Sequence, residues 1–301
     1  PEMLKSKSWR GQKFRYYDIT SSVPSIQGGK PHYYLHFLAE VETMLKQLGF
    51  KKMYGPLIVN EFWNFDALFQ PQFHSAREWS DTYSVNVASK LEMPKEVVKA
   101  VKQTHEQSWK YTWSEEKAKQ AILRPQTTVV SAYTLYKLRE KLKTIKVKSS
   151  DPVVIAKYYA LARCFRPDVV DSTHLSEFNQ LEGIIIGINL NFNHLLGVLK
   201  QLTLSITKAK HIRFLPDYYP FTEPSVEIDV KFQQNWLEIG GAGIFREEVV
   251  KPLLGSSYDE NITVLAWGLG IDRLAMIKYG LNDIRLLFSN QLEFLRKQTL
   301  K

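Results

Sequence analysis

Apolar positions recur at helical spacing from Tyr34, where Phe37, Leu38, Val41, Leu45 and Leu48 share one face and Gly49 follows as a C-cap. A strand is predicted over 53–59. From Thr127 a second helix carries Ala132, Leu135, Leu138 and Leu142 into a Lys-rich turn, KLKTIKVKSSDP, which reads as a solvated hairpin. Beyond it the period drops to two. Strands are predicted over 153–165, 178–186, 212–215, 226–231, 236–239 and 262–267, with one helix near 193–202. Regular βαβ alternation is missing, so the pattern predicts an α+β fold, an antiparallel β-sheet flanked by helices. No internal repeat or low-complexity tract interrupts it.

The segments outside this pattern are distinctive. Residues 1–30 are basic and aromatic, with Pro24, Gly28 and Gly29, and read as an N-terminal linker or arm ahead of a main domain over 31–301. Their start, without Met and without an apolar signal core, looks like the middle of a longer polypeptide. The stretch FWNFDALFQPQFHSAREWSDTY, 62–83, is aromatic and polar without clean periodicity, as in an ordered binding loop or a packed surface loop. Over 84–121 the composition shifts to Lys, Glu and Trp with two short helices, one opened by Pro94, as in a helical insertion.

Composition adds bounds. A chain of 301 residues, 44% hydrophobic, can bury a substantial core. Its net charge of +9 favours a polyanionic partner without specifying one. The single cysteine, Cys164, excludes an internal disulfide framework and a Cys-based zinc cluster, and it fits a reducing cytoplasm. No apolar run reaches the roughly 18–20 residues of a membrane span, so no membrane partner is expected.

Candidate chemistry falls in five stretches. In AWGLGIDRLAMIKYGLNDIR a strand turns through Gly268 and Gly270 into a helix carrying Arg273 in its first turn, opposite Ile271, Leu274 and Ala275. A helix start with close backbone approach suits a phosphate, and an ordinary turn with a solvated arginine has the same pattern. On the strand from Glu177, alternation puts Phe178, Gln180 and Glu182 on one face, with Leu181 and Gly183 on the other. An amide and a carboxylate can hold an ammonium group beside a ring that stacks on a base, or simply form a solvent-facing edge. RPDVVDSTH offers Arg166, Asp168 and His174 in a turn. YPFTEPSVEID supplies Tyr219, Phe221, Glu223, Ser225 and Glu227 at equal parity unless Pro224 breaks the phase; such acids suit Mg²⁺ beside phosphates, or an exposed sheet edge. WLEIGGAGIFR sets Gly240, Gly241 and Gly243 after a strand, leaving room for a ligand or for strand packing.

Taken in order, these pieces resemble the α subunit of phenylalanyl-tRNA synthetase of the archaeal and eukaryotic type, a class II aminoacyl-tRNA synthetase. FWNFDALFQPQFHSAR looks like its signature loop, FRPDVVDSTHLSEFNQLEG like the second class II motif and GLGIDRLAMIKYGLNDIR like the third. The resemblance implies activation of L-phenylalanine with ATP and Mg²⁺, transfer to tRNA(Phe), and a β subunit completing an α2β2 heterotetramer. It assigns Arg166 to the α-phosphate, Asp168 and Phe178 to ATP with the ring on adenine, and Arg273 to the γ-phosphate side. Gln180 and Glu182 would grip the α-amino group, with Thr128 nearby. Leu181, Phe221, Phe245 and Ala266 would complete the phenylalanine site, with Tyr219 as a neighbour, and Glu223 matches a Mg²⁺ ligand shared with the β subunit.

The chain departs from the family's usual pattern at Arg166-Pro167-Asp168, where Arg-Asn-Glu is usual, and at Pro125-Gln126-Thr127-Thr128, where Thr-His-Thr-Thr is usual. Pro31-His32 reverses a His-Pro pair, and His74-Ser75-Ala76-Arg77 replaces His-Pro-Ala-Arg. Two rival expectations remain: a related class II synthetase for another amino acid, and a catalytically silent RNA-binding or regulatory paralogue.

Overall fold

A computed structural model describes residues 2–13, 15–22, 28–144 and 149–299. The expected Pro24 of the arm and the middle of the Lys-rich turn, 145–148, lie outside them. The described chain divides into Pro1–Pro31 and His32–Lys301. The first unit holds a one-turn helix, α1 (Glu2–Lys5), and an Asx turn in which Asp18 accepts from Thr20 N at 2.9 Å.

The second unit opens with α2 (Tyr33–Gln47), capped by His32, whose side chain accepts from Tyr34 N. Gly49 follows at φ 84°, the left-handed stop its lack of a Cβ permits. The predicted strand over 53–59 is instead two short strands, β1 (Lys51–Lys52) and β2 (Ile58–Asn60), in different sheets. Gly55-Pro56 separates them, because proline cannot donate to a ladder. Next come α3 (Glu61–Asn64), α4 (Lys95–Trp109), α5 (Glu115–Lys119), β3 (Ala121–Leu123) and α6 (Thr128–Lys143). Strand β3 pairs antiparallel with β2.

The main sheet is built from β4 (Val153–Phe165), β5 (Glu177–Ile188), β6 (Ile212–Asp217), β7 (Thr222–Phe232), β8 (Asn235–Phe245) and β9 (Ile262–Gly270), with β1 on one edge. Helix α7 (Phe192–Thr207) precedes β6, α8 (Glu247–Leu254) follows β8, and α9 (Ile271–Tyr279) and α10 (Leu292–Lys297) follow β9. The order is β1-β4-β5-β9-β8-β7-β6, antiparallel except for the β1–β4 pair.

Period-two alternation gives this sheet two apolar faces and hence two cores. Leu181 and Ile185 of β5, Ile228 of β7 and Leu269 of β9 pack against Phe37 and Leu45 of α2, Leu199 of α7 and Leu274 of α9. Ile184 and Ile186, with Ala266, face the other way, against Phe62 and Trp63 of α3, Leu135 of α6 and Leu253 of α8. Each such buried side chain contributes roughly 1.5–3 kcal/mol. Residues 60–72 are buried throughout, so the first half of the aromatic stretch 62–83, expected as a binding loop or a packed surface loop, is core. Among the described residues no helix is long and apolar enough to cross a membrane.

Candidate active site

A cavity of about 660 Å³ opens where β5, β8, β9 and the start of α9 meet α6. Phe178, Gln180 and Glu182 of β5 point into it, continuing the side of the strand that buries Ile184 and Ile186. Across the sheet Glu182 is in register with Gly268 and Gln180 with Gly270. A Cβ on Gly268 would stand 2.3 Å from Gln180 Nε2, so glycine there makes room for the amide.

Glu182 is buried and ringed by donors. Thr127 Oγ1 (3.3 Å), Thr128 Oγ1 (3.1 Å) and Ser131 Oγ (3.0 Å) from the start of α6 donate to its carboxyl, as does Gln180 Nε2 (3.1 Å). Burial still pushes the carboxyl up to about 8, and the hydroxyl donors only partly offset it. Thr128 therefore belongs to the site as a support for Glu182. Gln180 Oε1 accepts from Thr127 N at 3.4 Å and from the buried Cys164 thiol, which burial raises to about 12.

Arg166 donates from Nε to Pro125 O (3.0 Å), and its guanidinium lies 5.2 Å from the Phe178 ring centre. Asp168 lines the same side of the cavity. Opposite, Arg273 donates from Nη1 to Glu238 O (2.8 Å), and its Nη2 meets His174 Nε2 at 3.1 Å. His174 Nδ1 in turn faces the Asp171 carboxylate, whose pKa is held low by backbone Thr173 N–H and by His174. The start of α9 is not an open anion cradle. Its first-turn Asp272 is buried, accepting from Asn179 N (3.0 Å) and from the Tyr34 hydroxyl.

The far end of the cavity is apolar. Tyr219 stacks on Phe221 with centroids 6.0 Å apart, Phe245 meets Phe221 edge-on at 6.3 Å, and Ala266 completes the wall. Gly241 lets the Tyr219 ring lie on β8, since a Cβ there would be 2.3 Å from its hydroxyl.

Two expected residues are elsewhere. Leu181 faces the opposite side of β5, inside the core with Ile185, as strand alternation requires of a residue between Gln180 and Glu182. Glu223 is also outside the cavity lining: the pairing of β7 with β8 shifts register between Thr222 and Ser225, so the equal parity expected through Pro224 fails. Its side chain is 69% exposed and paired with Arg246 at 2.6 Å. Glu223 therefore adds no oxygen to the lining of this cleft.

Other lining residues were not in the expected set. His74 and Gln70 come from the end of the aromatic stretch, and their nitrogens lie 3.0 Å apart; only the His-Ser-Ala-Arg match pointed to His74. Glu238 was legible only as the residue two before the glycine run. Beside it Glu227 has a raised pKa, first from desolvation and then from the Glu238 charge. Among the described residues no three His, Cys, Asp or Glu side chains cluster to hold a metal alone. Of these two acids only Glu238 lines the cavity, its carboxylate 3.6 Å from Arg273 Nη1, and carboxylate oxygens are what a hard cation takes when phosphate and water complete its shell.

The chain matches the family of tRNA synthetases class II core domain (F) over residues 16–298. It is 45% identical over 309 residues to the phenylalanine-tRNA ligase alpha subunit of Thermococcus gammatolerans, covering all of this chain and 58% of that protein. The corresponding subunit of Sulfolobus acidocaldarius is 40% identical over 301 residues, with 100% and 60% covered. The chain thus spans about three-fifths of the length of these relatives. Among solved structures, pyrrolysyl-tRNA synthetase from Desulfitobacterium hafniense shares the fold at a TM-score of 0.56 and 16% identity, covering 85% of this chain and 73% of that one. An antiparallel sheet carrying an arginine at each end of one cleft, matched along nearly its whole length, makes this chain a member of the class II tRNA synthetase core-domain family of the F type.

Proposed function

We propose that the chain activates L-phenylalanine with ATP and passes it to tRNA(Phe), as the catalytic α subunit of an α2β2 enzyme working with a β subunit in the cytoplasm. The observation that carries this reading is the row Phe178–Gln180–Glu182, which lies between two arginines and ends at an aromatic wall. The names of the relatives support the amino acid and the subunit assignment.

In this reading Glu182 and Gln180 bind the α-amino group, and Phe221, Phe245 and Ala266 surround the phenyl ring. Phe178 stacks on adenine, Arg166 and Asp168 hold the α-phosphate side, and Arg273 holds the outer phosphates. The amino-acid carboxylate forms a bond to the α-phosphorus as the α–β bridging bond breaks, giving the adenylate and pyrophosphate. A terminal ribose hydroxyl of tRNA then takes the acyl group, losing its proton as AMP leaves. No enzyme nucleophile is needed; positioning and charge supply the rate. Glu238 would hold Mg²⁺, which when bound offsets phosphate charge.

Amino-acid-dependent ATP–pyrophosphate exchange tests this in the assembled enzyme. Phenylalanine alone of a panel should support exchange, and Arg273→Ala should lower it by about 100-fold or more, the scale of one lost transition-state donor. Exchange with another amino acid, or native exchange in Arg273→Ala, overturns the reading.

A further inference from the structure

The residues joining β3 to α6, Arg124, Pro125, Gln126 and Thr127, touch both halves of the cleft. Pro125 O accepts from Arg166 Nε (3.0 Å), Thr127 N donates to Gln180 Oε1 (3.4 Å), and Thr127 Oγ1 donates to Glu182 (3.3 Å). No regular element fixes this connection. Strand β3 ends at Leu123, and Pro125, lacking an N–H, cannot extend its ladder. Strand β3 also belongs to the two-stranded sheet, whereas Arg166 follows β4 of the main sheet. Something must hold the two sheets in register where Arg166 leaves β4.

Arg124 does so with both its backbone and its side chain. Its N donates to Leu57 O and its O accepts from Phe165 N, each at 3.0 Å. The side chain spans the same gap: Nε donates to Arg163 O (2.7 Å) in β4, and Nη1 to Gly55 O (3.0 Å) and Pro56 O (3.1 Å) ahead of β2. The residue is 3% exposed, and burial lowers its pKa, although arginine keeps its proton at neutral pH. Among the described residues no carboxylate pairs with it. The buried guanidinium of Arg77, by contrast, meets both Glu61 and Asp66. A buried cation with only carbonyl partners costs stability that a neutral or apolar side chain would not. Packing alone therefore does not account for it.

We infer that Arg124 is a positioning residue for adenylate formation: its fork sets Pro125 against the end of β4 and so aims the Arg166 guanidinium at the α-phosphate. The inference rests on the reading that the chain joins an amino acid to ATP. Among the described residues Pro125 O is the one side-chain hydrogen-bond partner of Arg166, whose only other support is the Phe178 ring at 5.2 Å. A shift of that carbonyl therefore moves the guanidinium with it. The planar fork reaches carbonyls of two chain segments at once, which the single ammonium of lysine cannot do in one fixed geometry.

The test uses the full-length protein in its assembled enzyme and reads the single-turnover rate constant of adenylate formation with enzyme in saturating excess, which does not depend on the fraction folded. Arg124→Lys, which keeps the charge, should lower it about tenfold or more. The KM for phenylalanine in pyrophosphate exchange should stay within about twofold, because Thr128 and Ser131 of α6 still hold Glu182. In an Arg166→Ala background the same change should cost less than about twofold, since the group it aims is gone. Arg124→Gln, which offers amide donors to the same carbonyls, goes through the same cycle as the second variant. Parent rate constants in both variants overturn the inference. So do equal losses with and without Arg166, which would mean that Arg124 serves the fold at large. A parent that forms an adenylate with a different amino acid, and shows the same non-additive cycle, overturns the proposed substrate and leaves the role of Arg124 standing.

Discussion

Burial pushes the Glu182 carboxyl up to about 8 although four side chains donate to it. At pH 7 the empty site therefore holds mostly the neutral acid, whereas an ammonium ligand favours the anion. Binding of phenylalanine should release close to one proton at pH 7, and its affinity should rise with pH until about 8. Titration calorimetry in buffers of different ionisation enthalpy measures that release, and Glu182→Gln should abolish it while weakening binding. A release unchanged in Glu182→Gln refutes the assignment. The linkage to stability has the opposite sense. A native carboxyl with a raised pKa holds its proton while the unfolded chain loses it, so this group's contribution falls as pH rises from the ordinary glutamate value of 4.5 toward 8. Glu182→Gln should flatten the stability curve in that window. At this scale the sequence was readable wherever a strand kept its phase. Phe178, Gln180 and Glu182 fell on one face as alternation demands, and the same alternation sends Leu181 into the core. The parity run through Pro224 breaks at Glu223 because a register shift, invisible in the pattern of polar and apolar residues, sits at Thr222–Ser225.

Between elements, one polar junction locks α2, β5 and α9 together. The Tyr34 hydroxyl of α2 and Asn179 N of β5 both donate to Asp272, while Asn179 Nδ2 donates to the Tyr34 oxygen at 2.8 Å. Arg163 of β4 adds a donor to Asn179 Oδ1 at 3.0 Å. Asp272 precedes Arg273, so the junction fixes the turn that aims the guanidinium into the cleft. Burial raises both the Tyr34 and the Asp272 pKa, so the pair must stay hydrogen-bonded to remain inside. Tyr34→Phe should cost about 1–3 kcal/mol of stability, the scale of a buried acceptor that loses a donor. It should also raise the KM for ATP several-fold and leave that for phenylalanine unchanged, since Gln180 and Glu182 are held by α6. Denaturant unfolding with paired KM measurements checks both, and an equal rise in the two KM values would contradict a role through Arg273. Sequence periodicity located α2, β5 and α9 to within a few residues, yet none of it showed that Tyr34 and Asn179 converge on Asp272. Contacts separated by 238 and 93 residues carry no local signal.

At the scale of the whole molecule, the two cores have different origins. The core with α2, α7 and α9 comes from amphipathic elements whose spacing is plain in the chain, whereas the second core draws on 60–83, which lacks any period. That segment is organised instead around Arg77, whose side chain is 5% exposed and pairs with Glu61 at 2.7 Å and Asp66 at 3.2 Å. Arg77 also donates to Gln70 O (2.6 Å) and Pro71 O (3.0 Å), while Trp113 Nε1 and Gln72 Nε2 donate to the Asp66 carboxylate. A buried charge cluster leaves no imprint on hydrophobic spacing, which is why the stretch read as a loop. Because Gln70 and His74 line the cleft, the cluster couples folding of this lobe to the site. Arg77→Met removes the cation and strands two buried carboxylates, a change worth about 3–5 kcal/mol. Desolvation already raises the Glu61 pKa with Arg77 present, so without it Glu61 should take up a proton more readily. The sign follows: the native state of the variant binds more protons than the unfolded chain, its stability falls as pH rises, and the deficit against the parent should be smaller at pH 5 than at pH 8. Chemical unfolding of both proteins at the two values decides it. A deficit independent of pH would mean that Arg77 acts by packing against Phe65, whose ring centre lies 4.7 Å from the guanidinium, and not by neutralising the acids.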